Sequence, residues 1–410
     1  MAKLVKKEYR TPFILVTSLF FIWGFARAIM DVLNKHFQTE MSISISQSTW
    51  VQGAFFLGYF LLAIPAGLFI TKYGYRKGVV FGLLLFAVGA LGFGFGSIFL
   101  EMDGSLSLFY FFLFTLFIIA SGLVFLETAA NPYVIRLGDK ETAASRLNLA
   151  QSLNGLGNIC GPWLGGLLLF TGAGSVSTPY VLMGVMVFVV AMVFSRVNLP
   201  EIQEDIQEED AESSTKSLFH NKLFVFGFLA LLFYEIAEIS INSLFINYAE
   251  GVQGIDKLTA SQWLSFGFLL FMCARFAGSW VMSKIAAERV LLYCAIGTVI
   301  VNALVLMNIG KLSMVALLLN FVFEAIMFPT IFSLALRGLG KLTKRASAIL
   351  MMSTIGGAIG TMLMGVIGDQ TSLSVAFIVP LIGYMVVMAY SWRVNTVISG
   401  QAPKRKGSPT

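Results

Sequence analysis

Charge is what this sequence has least of. Asp, Glu, Lys and Arg make up 12% of its 410 residues, where an average soluble chain carries roughly 25%. Hydrophobic residues make up 57%, and mean hydropathy is +0.82. A water-soluble fold is excluded. Only two histidines occur, His36 and His220, both at the edges of apolar runs. That leaves no Ser-His pair within a run and no His-rich metal site, so neither an enzyme nor a bound metal is expected. The three cysteines, Cys160, Cys273 and Cys294, lie inside apolar runs without zinc-type spacing and read as packing residues. No Gly-x4-Gly-Lys-Ser/Thr loop is present, which argues against ATP-driven work, and no cofactor is expected.

What the chain has in abundance is apolar runs, each of about 20 residues or more and long enough to cross a hydrocarbon core roughly 30 Å thick. They fall at about 12–35, 48–71, 78–99, 107–135, 142–170, 179–197, 222–248, 260–285, 290–309, 312–337, 346–368 and 375–394. The pattern predicts an all-α membrane protein of twelve transmembrane helices. The first run is too long for a signal-peptide core and carries Arg27 and Asp31, so it is expected to be a retained helix. With both termini placed in the cytoplasm, only Lys35, Lys257 and Lys311 fall outside, and only Arg27 and Arg275 fall within spans. This obeys the positive-inside rule. The net charge of +6 therefore reports topology and attraction to an anionic leaflet, and gives no case for nucleic acid.

The expected organisation is an N-terminal six-helix bundle (1–198), an acidic cytoplasmic linker (199–221), a C-terminal six-helix bundle (222–396) and a basic cytoplasmic tail (397–410). Two related bundles that rock about a central site are the layout of many secondary transporters. Internal repetition supports it. Gly67 leads into the basic turn of Arg76 and Lys77, as Gly278 leads into Lys284 and Arg289. Glu127 precedes Pro132 by five residues, as Glu324 precedes Pro329.

Five carboxylates lie within spans: Asp31, Glu127, Glu235, Glu238 and Glu324. Each costs at least about 2.5 kcal/mol if ionised at the bilayer centre, so they must line a cavity, pair, or hold protons. Trp23, Arg27 and Asp31 recur at four-residue spacing and share one helical stripe. Arg27 has two open roles: neutralising Asp31, or receiving the carboxylate of an acidic ligand. Asn148, Gln151, Asn154 and Asn158 form an amide stripe suited to ligand hydroxyls or to interhelical hydrogen bonds. Tyr234, Glu238 and Asn242 form another stripe with Glu235 beside it, and two carboxylates so close should not both ionise easily. Trp23, Tyr234 and Phe328 offer aromatic faces to a ring-shaped ligand. Gly155, Gly157 and Gly161, and Gly356, Gly357 and Gly360, permit close helix approach. Arg275, placed near the inner end of its helix, is expected to be structural.

The basic turn at Arg76 and Lys77 resembles the signature gating loop of the major facilitator superfamily. Leu126-Glu-Thr-Ala-Ala-Asn-Pro-Tyr133, Arg146-Leu-Asn-Leu-Ala-Gln-Ser-Leu-Asn154, Ala237-Glu-Ile-Ser-Ile-Asn-Ser243 and Met327-Phe-Pro-Thr-Ile-Phe-Ser333 resemble the fucose:proton symporter family, across all twelve spans. The resemblance implies that Asp31 accepts the proton, that Glu127 couples proton to sugar, and that Gln151, Asn154 and Glu238 contact sugar. It implies a monomeric carrier in a bacterial inner membrane that uses the proton gradient to import a monosaccharide by alternating access. Fucose, galactose, glucose and N-acetylhexosamines are all compatible. The alternatives are an acidic or anhydro sugar carrier using Arg27, or a non-transporting sugar sensor; spacing does not separate proton from sodium coupling. The chain departs from the family at Arg27-Ala28, where fucose carriers tend to have an amide pair, and at Thr71, where the superfamily has an aspartate. Glu235 and Glu324 are additional acids with an open coupling role.

Overall fold

The computed structural model describes residues 5, 9–99, 106–137, 143–171, 177–197, 218–282, 284–339 and 342–401. Among them are twelve long helices: α1 (Arg10–Glu40), α2 (Trp50–Tyr73), α3 (Tyr75–Phe99), α4 (Leu106–Arg136), α5 (Ala143–Phe170), α6 (Ser177–Arg196), α7 (Lys222–Gly251), α8 (Lys257–Met282), α9 (Ala287–Leu306), α10 (Lys311–Ala335), α11 (Ile349–Gln370) and α12 (Leu373–Thr396). Eleven are long and apolar enough to cross a membrane. The other, α5, has 28 residues, and its amides and glycines dilute its apolar character. The protein is a multi-pass membrane protein of all-α class. Many large apolar side chains face outward, as Leu68, Tyr293 and Trp392 do. The linker through residue 217 and the tail from 402 lie outside the described residues.

Helix ends follow local chemistry. Ser44 and Gln47 form a reciprocal capping box on the single turn Ile45–Ser48 that precedes α2. Asn221 caps α7 by accepting the Leu223 and Phe224 N–H groups. Gly74, at φ +88°, ends α2 in a conformation that a side chain would oppose. The tenth span lies where expected, at Lys311–Ala335, but it is not one continuous helix. Helix α10 is two pieces, Lys311–Glu324 and Met327–Ala335, interrupted four residues before Pro329. A proline cannot donate to the carbonyl one turn earlier, so the ladder opens there.

The packing repeats with a period of six helices. Contacts α1–α5, α2–α4, α3–α4 and α3–α6 recur as α7–α11, α8–α10, α9–α10 and α9–α12. Across the two sets, α5 meets α8 as α11 meets α2, and α1 meets α7. Glycines set the closest crossings. A Cβ on Gly161 would lie 2.8 Å from the Ala28 Cβ and 3.0 Å from the Ile29 nitrogen of α1. One on Gly360 would lie 2.8 Å from backbone atoms of Ile236 on α7. The same device therefore joins α5 to α1 and α11 to α7.

Candidate functional site

The crossing of α1 and α7 brings the charged stripes together. Arg27 is half-buried and makes no direct ion pair among the described residues. Glu238, Glu235, Asp31 and Glu127 all lie within its electrostatic reach. The neutralisation of Asp31 by Arg27 considered above is therefore not a direct ion pair in this structure. Asp31 instead accepts a hydrogen bond of 3.2 Å from Ser243 Oγ of α7. The buried amide of Gln52, from α2, lies next to the same carboxylate and has no hydrogen-bond partner of its own.

Glu127 enters from α4 and has Arg27 as its first electrostatic neighbour. Tyr59, from α2, stands between Glu127 and Trp23. The Tyr59 hydroxyl and Trp23 Nε1 are both buried without a well-formed hydrogen bond. Sequence reasoning misses Tyr59, Gln52 and Ser243; Gln52 and Tyr59 are a heptad apart on an otherwise apolar helix, which is the available signal. From α7, Glu235 Oε2 and Asn242 Oδ1 are buried and unpartnered, and Glu238 is half-buried. One guanidinium thus faces Asp31, Glu127, Glu235 and Glu238. One positive charge is shared among four carboxylates, so the site carries an excess of acidic groups.

Beside this core, α5 and α8 enclose a cavity of about 100 Å³. Gln151, Asn154 and Asn158 line it from α5, and Phe271, Met272 and Arg275 line it from α8. The amides are held from behind. Asn154 donates to the Phe20 carbonyl (3.2 Å), Asn158 to Asn154 (3.4 Å), and Gln151 to Asn131 (3.4 Å). The Asn148 side chain lies outside the described residues. Arg275, expected to be structural, contacts a helix end and also lines this cavity. Its Nε donates 3.0 Å to the Ala325 carbonyl freed by the break in α10, and its guanidinium lies 4.5 Å from the Phe271 ring centroid.

Two expectations are corrected. Tyr234 is fully buried, with its hydroxyl 3.4 Å from the Glu324 carbonyl, so it presents no face to a ligand here. Phe328 is packed between Tyr234 and Phe332. Glu324 is also fully buried, against α12. Arg76 donates to the Ser195 carbonyl at the end of α6, and Lys77 lies 5.9 Å from the Tyr73 ring centroid. Thr71 hydrogen-bonds to its own helix at Gly67, so it does not take the part of the aspartate usual in that loop.

Polar contacts between the two helix sets gather where α1 ends and α8 begins. Lys35 pairs with Glu250, Lys257 donates to Thr39 (3.0 Å), and Gln38 exchanges amide hydrogen bonds with Asn247. Asn34 donates to the Ser243 carbonyl (3.3 Å), and Asp369 of α11 accepts from the backbone N–H groups of Ile45 and Ser46 (3.0 and 2.8 Å). This end of the molecule is closed.

Comparison with known proteins agrees with this architecture. The family model for the Major Facilitator Superfamily matches residues 13–361. A glucose/galactose transporter of Brucella abortus is 34% identical over 94% of both chains. An L-fucose-proton symporter of Haemophilus influenzae is 32% identical, over 97% of this chain and 99% of its own. A crystal structure of the transporter FucP in an outward conformation superposes with a TM-score of 0.71 at 31% identity, covering 95% of this chain and 99% of that one. The chain belongs to the Major Facilitator Superfamily, within the group that contains the fucose:proton symporters.

Proposed function

We propose that this protein is a proton-coupled symporter that imports a neutral monosaccharide by alternating access. The observation that carries the reading is the adjacency of an acid-rich core, Arg27 among Asp31, Glu127, Glu235 and Glu238, and an amide-lined cavity between α5 and α8. Relatives named as L-fucose-proton symporters and glucose/galactose transporters support it. The acids provide proton sites, and the amides provide donors and acceptors for hydroxyls. An anionic sugar would meet the excess carboxylates around Arg27, which favours a neutral sugar of the fucose, galactose, glucose or N-acetylhexosamine class.

The units are the bundles 1–198 and 222–396, joined by the linker 199–221 and followed by the tail 397–410. They sit in a bacterial inner membrane as a monomer in lipid, with both termini cytoplasmic. The closed end is then the outer face, and the cycle stands in its inward-facing half. In this reading Asp31 is the proton acceptor. Ionised, it holds α7 through Ser243; protonated, it is the weaker acceptor, and the outer contacts part. Sugar then enters against Trp23, with Asn148, Gln151 and Asn154 taking its hydroxyls from α5 and Glu238 and Asn242 bounding it from α7. Glu127, beside Tyr59, links sugar occupancy to the proton site. Arg27 stays within the protein as the counter-charge, and Arg275 bounds the cavity on its far wall. Arg76 and Lys77 steady the inner ends of α2 and α3 as the bundles rock.

The test is sugar-induced alkalinisation of weakly buffered cells expressing the chain, compared with empty-vector cells, across neutral hexoses, N-acetylhexosamines and acidic sugars. A transient pH rise with a neutral sugar is expected. Asp31→Asn should abolish the rise and keep sugar exchange. A sodium requirement, or a response confined to acidic sugars, would overturn the reading.

A further inference from the structure

Helix α10 breaks immediately after Glu324, and the break is held from two other helices. Tyr234 of α7 donates to the Glu324 carbonyl, and Arg275 of α8 donates to the Ala325 carbonyl. The Glu324 side chain turns the other way. Its Oε2 accepts from Asn320 Nδ2 (2.6 Å) and from the Tyr384 hydroxyl of α12. Asn320 is itself fixed: its Oδ1 accepts from Asn302 of α9 at 2.8 Å, and its Nδ2 reaches the Tyr384 hydroxyl at 3.1 Å. Glu324 is wholly inaccessible to solvent, and its Oε1 has no partner.

This arrangement suits a carboxylic acid better than a carboxylate. No cation pairs with Glu324 among the described residues, because Arg275 is committed to the Ala325 carbonyl and the Phe271 face. The charged and titratable groups that face it are Glu238 and Tyr234 from α7, Arg275 from α8 and Tyr384 from α12, while α9 contributes the neutral Asn302. Burial opposes a charge on Glu324, and Glu238 opposes it further. A proton on the unpartnered Oε1 removes that charge and leaves both accepted hydrogen bonds on Oε2 intact. The break places the acid one residue from a carbonyl gripped by a cavity-lining arginine. A movement of Arg275 during the cycle therefore acts directly on the turn that carries the acid.

We propose that Glu324, with Asn320 and Tyr384, is a second proton-binding site, in the C-terminal half, that loads and unloads once per transport cycle in addition to Asp31. The inference rests on the symport reading above. The proton passes to Glu324 Oε1 from water admitted when the break opens, and returns to water at the opposite side; no other bond changes.

Two measurements on the full chain test it. In the first, purified protein in lipid is examined by infrared difference spectroscopy for a protonated-carboxyl band that Glu324→Gln removes. The band should weaken at alkaline pH and change when D-galactose, D-glucose or L-fucose is added. Absence of such a band would mean that Glu324 is never protonated, and a band indifferent to both pH and sugar would make it a permanently neutral structural acid; either result ends the proposal. This readout needs no transport, so it stands even if sugar uptake carries no proton, the outcome that sinks symport itself. In the second, proton and radiolabelled sugar uptake are measured together in proteoliposomes. Glu324→Gln should lower the proton-to-sugar ratio by one while sugar exchange persists, and Tyr384→Phe should keep the native ratio at a reduced rate. A ratio unchanged in Glu324→Gln overturns the second site.

Discussion

Ser243 on α7 donates a hydrogen bond of 3.2 Å to the Asp31 carboxylate on α1, and its own carbonyl accepts from Asn34 one turn further along α1. One serine thus ties the two helix sets together at the proposed proton acceptor. Hydrogen bonds to charged groups contribute about 1.5–3 kcal/mol, so Ser243→Ala should raise the open fraction of this end about tenfold or more. Spin labels at Glu40 and Gly251, exposed positions on opposite sides of the closure, would report it as a longer distance population. An unchanged distribution would show that Asp31 plays no part in holding the end shut.

The Lys35–Glu250 pair lies at the same end and is partly exposed, with 15% and 30% of the side chains accessible. Solvent screening limits such a pair to about 1 kcal/mol or less, a factor of five or so in the closure equilibrium. Lys35→Glu should slow sugar uptake by no more than that factor, and more at low salt than at high salt. The exchanged pair Lys35→Glu with Glu250→Lys should restore it. Failure of the exchange to rescue would assign the loss to the neighbouring Gln38–Asn247 amides instead.

Much of this architecture is legible in the sequence because a bilayer allows so few solutions. Apolar length alone delivers the helices, and the glycines at 157, 161, 356 and 360 announce the two tight crossings in which the structure places them. The break in α10 is only half-visible. Pro329 signals a weakened ladder, but its effect depends on Tyr234 and Arg275 being present to take the freed carbonyls. The surroundings of Arg27 are half-visible for a related reason. Four-residue spacing puts Arg27 and Asp31 on one stripe, but Glu238 and Glu235 join them from a helix more than two hundred residues away. Tyr59 and Gln52 escape notice because one heptad spacing of two polar residues in an apolar helix is a weak pattern, and their significance appears only when α2 is placed against α1 and α4.

The glycine crossings give a stability test. At Gly161 a side chain would collide with backbone and Cβ atoms of α1, whereas at Gly67 nothing lies within 4 Å. Gly161→Val should cost about 1–3 kcal/mol by overpacking, read as a lower unfolding temperature in detergent. Gly67→Ala should be neutral or gain up to about 1 kcal/mol from helix propensity. Equal effects at the two positions would mean that α5 and α1 are not in this close contact in the membrane.

Arg27 supplies the sharpest discrimination between a structural cation and a substrate clamp. As the counter-charge of a buried acidic cluster, it leaves several carboxylates facing one another when removed, and breaking a buried charge arrangement in this way costs about 3–5 kcal/mol where the pairing is direct. Its contacts here are indirect and the residue is half-buried, so a smaller loss is expected from Arg27→Ala. The informative variant is the double one. Glu235 carries an unpartnered, buried Oε2 and is among the first two acids to act on Arg27. Arg27→Ala with Glu235→Gln should therefore recover part of the lost thermal stability, because one excess negative charge leaves with the positive one. Sugar binding, measured on the same samples, should recover with it. If stability returns while sugar binding stays lost, Arg27 touches the sugar itself, and the counter-charge role must be shared with direct recognition.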